Sequence, residues 1–323
     1  MRKRFALNSF EYFLQITPVD LGLFLPELLP QEIDELCLNP RYLRGSDFLM
    51  RWSQGRWAED IVIRAINATG EFHAIPYGPS SVAPSDPQEM EQYFERLDQA
   101  ITTGKRPDLL ILDRSDYETI QDKLDRIGIE NIPFTPEDRL GFLLSKALMA
   151  VEVENSLWIA KQMPDYGRGK PLEALGYPEL IGFAKNKKVP TLIIKDEDLE
   201  PLRGWESNWE VPIFVFHVFY DLGFYISFER AIWLIEKGII SPTKQTFYAP
   251  GGPTTRKVIY KIWYTLAYPL GTMVKEPRMV AKFVQDKNGH ILPYVHFSEG
   301  ELRLSKEIIN ELRKLKKSRR RSQ

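Results

Sequence analysis

The chain holds few of the residues from which the commonest catalytic clusters are made. It has one cysteine, Cys37, in 323 residues, which excludes an intramolecular disulfide and a cysteine-rich zinc site and fits a reducing compartment. Set in Glu35-Leu36-Cys37-Leu38, that thiol reads as a packed side chain rather than a nucleophile. The histidines number four, at 73, 217, 290 and 296, and show no HxH or HExxH spacing, so packing or hydrogen bonding is the better role for each. No apolar run reaches the ~18 residues of a membrane span. The basic start Arg2-Lys3-Arg4 is like that of a secretory leader, but Ser9, Glu11 and Gln15 interrupt the apolar segment that should follow. A cytoplasmic protein with no membrane contact is expected.

Net charge is also scarce, and its distribution is uneven. The formal total is −1, yet residues 313–323 carry seven lysines and arginines and no acid, so subtracting them leaves −8 for residues 1–312. An acidic body does not favour a protein coated by nucleic acid, although local basic patches and the basic tail can still attract phosphate. The alternative for the tail is a solvated terminus without a role. With 43% hydrophobic and 27% charged residues, the composition is that of an ordinary globular protein large enough to bury a core.

No internal repeat or low-complexity segment breaks the chain. Residues 1–50 are apolar and interrupted by Pro18, Pro26, Pro30 and Pro40, which suits a cover of short helices. A helix follows through about Ala68, with Asp60, Arg64 and Asn67 on a narrow polar face and Glu59 between Ile63 and Ile66 on the apolar arc. After a Pro/Ser-rich loop at 76–88, Asp86 and Pro87 open a helix with the stripe Met90, Phe94, Leu97 and Ile101. Strands are expected at about 108–113 and 148–154, with helices between them from Ser115 to Ile127 and from Thr135 to Lys146. Thr191–Ile194 and Val211–Phe219 read as buried strands and Phe228–Lys237 as a helix. Residues 244–297 alternate as a β-ribbon, and 301–317 form an amphipathic helix running into the basic tail. The expected architecture is a single α/β domain over 1–312, comprising a cover (1–50), a core (51–240) and a β-rich part with the terminal helix (241–312), followed by the tail at 313–323.

Two strings carry chemistry. In Pro107-Asp108-Leu109-Leu110-Ile111-Leu112 and Ala150-Val151-Glu152-Val153-Glu154-Asn155, acids sit at the end of an otherwise apolar strand, where an isolated carboxylate is costly without a cation or strong donor. Side chains alternate along a strand, so Glu152 and Glu154 share one face. If Asp108 lies alongside, three carboxylates converge, and hard oxygen donors of this kind suit Mg²⁺ with waters and phosphate oxygens. A metal-dependent phosphodiesterase follows, with Asp108, Glu152 and Glu154 as ligands and catalytic groups.

Pro107-Asp108 with Glu152-Val153-Glu154 resembles the PD-(D/E)XK nuclease signature, with glutamate in the place of lysine. Glu59 resembles the additional acid that the first core helix of that superfamily often supplies. The strings Arg51-Trp52-Ser53-Gln54-Gly55-Arg56-Trp57-Ala58-Glu59-Asp60, Pro76-Tyr77-Gly78-Pro79-Ser80-Ser81 and Gly104-Lys105-Arg106-Pro107-Asp108 together resemble the AccI family of type II restriction endonucleases. That resemblance implies a restriction-endonuclease-like central mixed β-sheet flanked by helices. It also implies Mg²⁺-dependent cleavage of both strands of double-stranded DNA at a short palindrome like GTMKAC, by a homodimer, beside a cognate DNA methyltransferase that protects the host. Glu154 in the lysine position implies a base or a second metal ligand there, and Lys161 is a conceivable displaced lysine. The 43 residues between Asp108 and Glu152 require an insertion where the superfamily often has a close hairpin.

Base and phosphate contacts fall to two turns. Arg168 and Lys170 lie in Tyr166-Gly167-Arg168-Gly169-Lys170, and Thr254, Thr255, Arg256 and Lys257 follow Gly251-Gly252-Pro253; basic loops of this kind reach groove edges or phosphates. Two alternatives stay open: a structure-specific or repair nuclease of the same fold, and a DNA-binding module with a decayed nuclease site.

Overall fold

The computed structural model describes residues 44–79, 104–247, 255–285 and 291–322. The expected N-terminal cover up to 43 and the helix expected after Asp86 lie outside them. Helix α1 (Arg44–Asn67) leads into β1 (Phe72–Pro76), and the chain resumes in β2 (Leu109–Asp113), α2 (Arg114–Ile127) and β3 (Ala147–Asn155). A hairpin, β4 (Lys170–Leu172) and β5 (Tyr177–Gly182), precedes β6 (Thr191–Lys195) and α3 (Asp196–Trp209). Then come β7 (Ile213–Val218), β8 (Leu222–Ser227), α4 (Phe228–Glu236), β9 (Pro242–Phe247), β10 (Thr255–Trp263), β11 (Tyr268–Gln285), β12 (Ile291–Leu304) and α5 (Lys306–Ser322).

Seven strands form one sheet in the order β1-β2-β3-β7-β8-β11-β12. Among the described residues its one parallel pair is β3 with β7 and the other pairs are antiparallel, so the sheet is mixed and flanked by helices, as the sequence led one to expect. Strands β6, β10 and β9 make a second, three-stranded sheet. The alternation of β2, β3 and β7 divides the core. Leu110, Leu112, Ala150, Ile213 and Val215 pack with residues of α2, α3 and α4, whereas Leu109, Ile111, Val151, Val153, Phe214 and Phe216 pack with Trp57, Ile61 and Val62 of α1 and Ile308 and Leu312 of α5. Both faces are covered, which is why these strands read as continuous apolar runs.

Several boundaries differ from expectation. Helix α1 begins at Arg44 rather than near residue 51. The helix expected from Thr135 to Lys146 is instead a series of 3₁₀ turns and the four-residue helix Gly141–Leu144, because Pro133, Pro136 and Gly141 interrupt helical hydrogen bonding. Residues 301–304 belong to β12 rather than to the terminal helix; Ser305 Oγ accepts from the Ile308 amide at 3.3 Å and starts α5 only there. The basic tail forms the last turns of α5. Lys316 Nζ and Arg320 Nη2 lie 2.6 and 3.3 Å from Asp113 Oδ2, so these cations dock on the end of β2. Among the described residues no helix is long and apolar enough to cross a membrane.

Candidate active site

The acids are brought together by register. Leu109 pairs with Val151 across β2 and β3, so one step further Asp108 faces Glu152. Asp108 sits just before β2, and its Oδ2 accepts a hydrogen bond of 2.8 Å from the amide of Val153, which fixes the carboxylate at the β3 backbone between the two glutamates. Its main-chain carbonyl accepts from the amides of Tyr77 (2.8 Å) and Gly78 (2.9 Å). A Cβ at Gly78 would stand 2.9 Å from Asp108 Cα and from the Pro107 carbonyl oxygen, so only glycine allows this approach. The strings around Gly78 and Asp108, far apart in sequence, thus form one packed unit.

Glu152 is 7% exposed. Its Oε2 meets Lys105 Nζ at 3.0 Å, while its buried Oε1 has no hydrogen-bond partner in the structure. Burial, with the neighbouring charge of Asp108 and against the opposing pull of Lys105, pushes the Glu152 carboxyl up to about 8. Burial also raises Glu154, against the attraction of Lys195, whose Nζ is 3.4 Å from Glu154 Oε1. Asp198, in the first turn of α3, lies 3.9 Å from Lys105 Nζ and 3.7 Å from Lys195 Nζ through the same oxygen, Oδ2. Lys105 is raised despite its burial, because Glu152, Asp108 and Asp198 all favour its charge; Glu154 is the main cause of a like shift in Lys195.

A second network holds this arrangement from behind. Glu137 accepts from the Tyr77 hydroxyl, from Trp205 Nε1 at 2.8 Å and from Trp209 Nε1 at 3.2 Å, and Arg106 Nε stands 3.3 Å from it. Trp205 and Trp209 belong to α3, and Tyr77 and Arg106 flank Gly78 and Asp108. One carboxylate therefore ties the helix carrying Asp198 to the segments that position Asp108.

Glu59 is buried at 4% exposure, as its place on the helical wheel predicts. It stands on α1, whose apolar residues cluster with the odd-numbered positions of β2 and β3, whereas Glu152 and Glu154 belong to the even-numbered face. His217 of β7 is in register with Glu154; it is 1% exposed, stacked on Phe219 at 4.5 Å, and pushed down to about 3 by burial. A neutral packed histidine agrees with the reading from sequence. Lys161 is exposed on a turn, its amide bonded to Asp221 at 3.2 Å.

Arg168 is exposed in a glycine turn where Gly167 adopts φ 74° and Asp165 accepts from Lys187 Nζ (3.0 Å) and the Lys188 amide (2.9 Å), while Lys170, also exposed, opens β4 rather than lying in the turn. Thr254 lies outside the described residues. The turn expected around it does not extend through Lys257: Thr255, Arg256 and Lys257 begin β10, paired with β9, and Lys257 Nζ binds Glu197 Oε1 at 2.5 Å. Alternating β-branched and aromatic residues after Thr255 draw the segment into the ladder.

Mg²⁺ commonly takes one or two protein carboxylates and keeps waters and phosphate oxygens for its other positions. Asp108 beside Glu152, with a buried and unpartnered Glu152 oxygen, is a donor set of that kind. Among the described residues no three histidine, cysteine, aspartate or glutamate side chains stand close enough together to hold an ion; Glu154 is turned to Lys195 instead. Reasoning from sequence missed Lys105, Lys195, Asp198 and Glu137. Lys105 stands in the string Gly104-Lys105-Arg106-Pro107-Asp108 that resembles the family, without being singled out there, and the helix that carries Asp198 was not expected from the sequence.

Residues 39–166 match the family model described as AccI restriction endonuclease. The match contains Glu59, Lys105, Asp108, Glu152 and Glu154 and ends before Lys195 and Asp198. No curated protein and no solved structure matches the chain.

Proposed function

We propose, taking as premise that over residues 39–166 the chain belongs to the AccI restriction endonuclease family, that it is a Mg²⁺-dependent type II enzyme cutting both strands of double-stranded DNA at a short palindrome, GTMKAC or a near variant. The observation that carries this reading is the Asp108–Glu152 pair, locked in register by the Val153 amide and holding one buried carboxylate oxygen without a partner. Asp108 and Glu152 would hold the ion, which would lower the pKa of a water and neutralise phosphate charge. The Val153 amide keeps Asp108 oriented, and the apolar residues around β2 and β3 limit water to the open side of the site. Glu154, paired with Lys195, serves as base or as a further ligand once it turns from that lysine, and Glu59 backs the strands from α1 on the opposite face of the sheet. Arg168, Lys170 and the segment Thr254, Thr255, Arg256 and Lys257 contact DNA. A palindrome is read by a two-fold protein, so a homodimer is part of the proposal, as is a cognate methyltransferase.

The test is digestion of plasmid DNA by the full chain with Mg²⁺ and mapping of the ends. Discrete fragments cut at one sequence, lost in Asp108→Ala and Glu152→Ala while binding persists in Ca²⁺, are expected. A smear would favour a structure-specific or repair nuclease. Sequence-specific binding with no cleavage in any divalent metal would leave a binding module with a decayed site. Equal cleavage by the two variants and the wild type would remove the site itself.

A further inference from the structure

Each of the two ammonium groups at the site is shared between one glutamate of β3 and one aspartate. Lys105 Nζ lies 3.0 Å from Glu152 and 3.9 Å from Asp198; Lys195 Nζ lies 3.4 Å from Glu154 and 3.7 Å from the same Asp198 oxygen. When all are ionised, Asp108, Glu152, Glu154 and Asp198 carry four negative charges against two positive ones. The residue of two charges is what one divalent ion neutralises, and a second ion would leave the protein groups over-compensated. For Glu152 to offer both oxygens, Lys105 must leave Oε2, and Asp198 already stands where the departing ammonium can settle.

We propose that Lys105 and Lys195 supply the cationic function that the motif surrenders by carrying Glu154. With a divalent ion held at Asp108 and Glu152, Lys105 would move from Glu152 toward Asp198, which would keep both ammonium groups beside the site, where they would contact the phosphate oxygens of the DNA bond being cut. This rests on the reading of Asp108 and Glu152 as the metal pair. Lysine suits the task because a compact charge on a four-carbon stem can move between acceptors without backbone movement. The effect is electrostatic, on charge that grows at the phosphate, and neither lysine transfers a proton. Asp198 is a positioning residue, held in place because Glu137 anchors α3 through Trp205 and Trp209. The missing lysine is therefore sought on the approach to β2 and at the end of β6, and not at Lys161.

The experiment is calorimetric titration of the full chain with Mg²⁺ alone, beside cleavage rates and DNA binding in Ca²⁺. Lys105→Met removes the competing cation and is expected to bind the ion about tenfold more tightly, yet to cleave more slowly. Lys195→Met is expected to keep ion and DNA binding within about threefold while cleavage falls about a hundredfold. Asp198→Asn should lower kcat more than KM, and Asp198→Glu should recover part of the loss. Lys105→Gln and a thermal melt of each variant guard against misfolding. Unchanged or weaker ion binding in both Lys105 variants, or wild-type cleavage by Lys195→Met, overturns the proposal. If the wild type cuts no DNA in any metal, the nuclease reading has failed, while the calorimetry still decides whether Lys105 competes with the ion.

Discussion

On one side of β3, Val151 and Val153 belong to the apolar cluster that includes Trp57, Ile61 and Phe216 beneath α1. On the other, Glu152 and Glu154 meet Lys105 and Lys195, which share Asp198. The same four residues thus build a sealed core on one face and a charged site on the other, separated by the thickness of a sheet. The covered side is what makes the charged side possible. A strand anchored by dry packing can hold carboxylates where they are poorly hydrated, and poor hydration strengthens their hold on any cation that arrives. The two faces should therefore respond to mutation in different ways, one through chemistry and the other through stability.

The largest effect is expected on the charged face. On the function proposed above, Asp108→Asn and Glu152→Gln should each lower cleavage about a thousandfold or more while DNA binding in Ca²⁺ is retained, because they would remove the charge proposed to bind the ion without removing the fold. Next comes Gly78→Ala, which touches neither glutamate. Its Cβ forces the backbone at Pro107-Asp108 aside, and a displacement of this kind should slow cleavage about a hundredfold with little change in DNA binding. Wild-type rates from Gly78→Ala would show that Asp108 need not sit where the Val153 amide holds it.

The third effect lies in pH. Glu152 is held up near 8 in the folded protein and returns to the ordinary carboxylate range when unfolded. Between those values the folded state keeps a proton that the unfolded state releases, so folding weakens as pH rises from about 4.5 to about 8 and no further above that. Compared with Glu152→Gln, the metal-free wild type should lose about 1–3 kcal/mol across that window in denaturant melts at stepped pH. Parallel curves for the two proteins would mean that Glu152 is ionised throughout. The smallest effect belongs to the sealed face: Val153→Ala should cost about 1 kcal/mol of stability and leave cleavage within about threefold. A large loss of activity there would erase the distinction between the faces.

Much of this arrangement is legible in the chain. The apolar runs around Leu110 and Val151 can only be buried strands, and the Glu152-Val153-Glu154 alternation puts both acids on one face whatever the partners are. Near Thr135, the start signal of Thr135, Pro136 and Asp138 suggests a helix through Lys146, longer than the short turns that form around Pro136 and Gly141. At the C-terminus, the amphipathic pattern was extended back across Glu301–Leu304, where pairing with β11 decides for strand. The cations at the site were not legible: Lys195 is 41 positions from Glu154, and nothing local marks it as different from any lysine that ends a strand.

By itself the sequence determined which residues had to be buried and which acids shared a face, because side-chain alternation and the cost of a buried charge act over a few residues. Only the tertiary structure decided that Asp108 is gripped by the Val153 amide, that Gly78 makes room for it, and that Lys105, Lys195 and Asp198 complete the charge around Glu152 and Glu154. Those contacts depend on strand register and on the docking of α3, and Coulomb attraction selects partners by distance in space, to which separation along the chain is no guide.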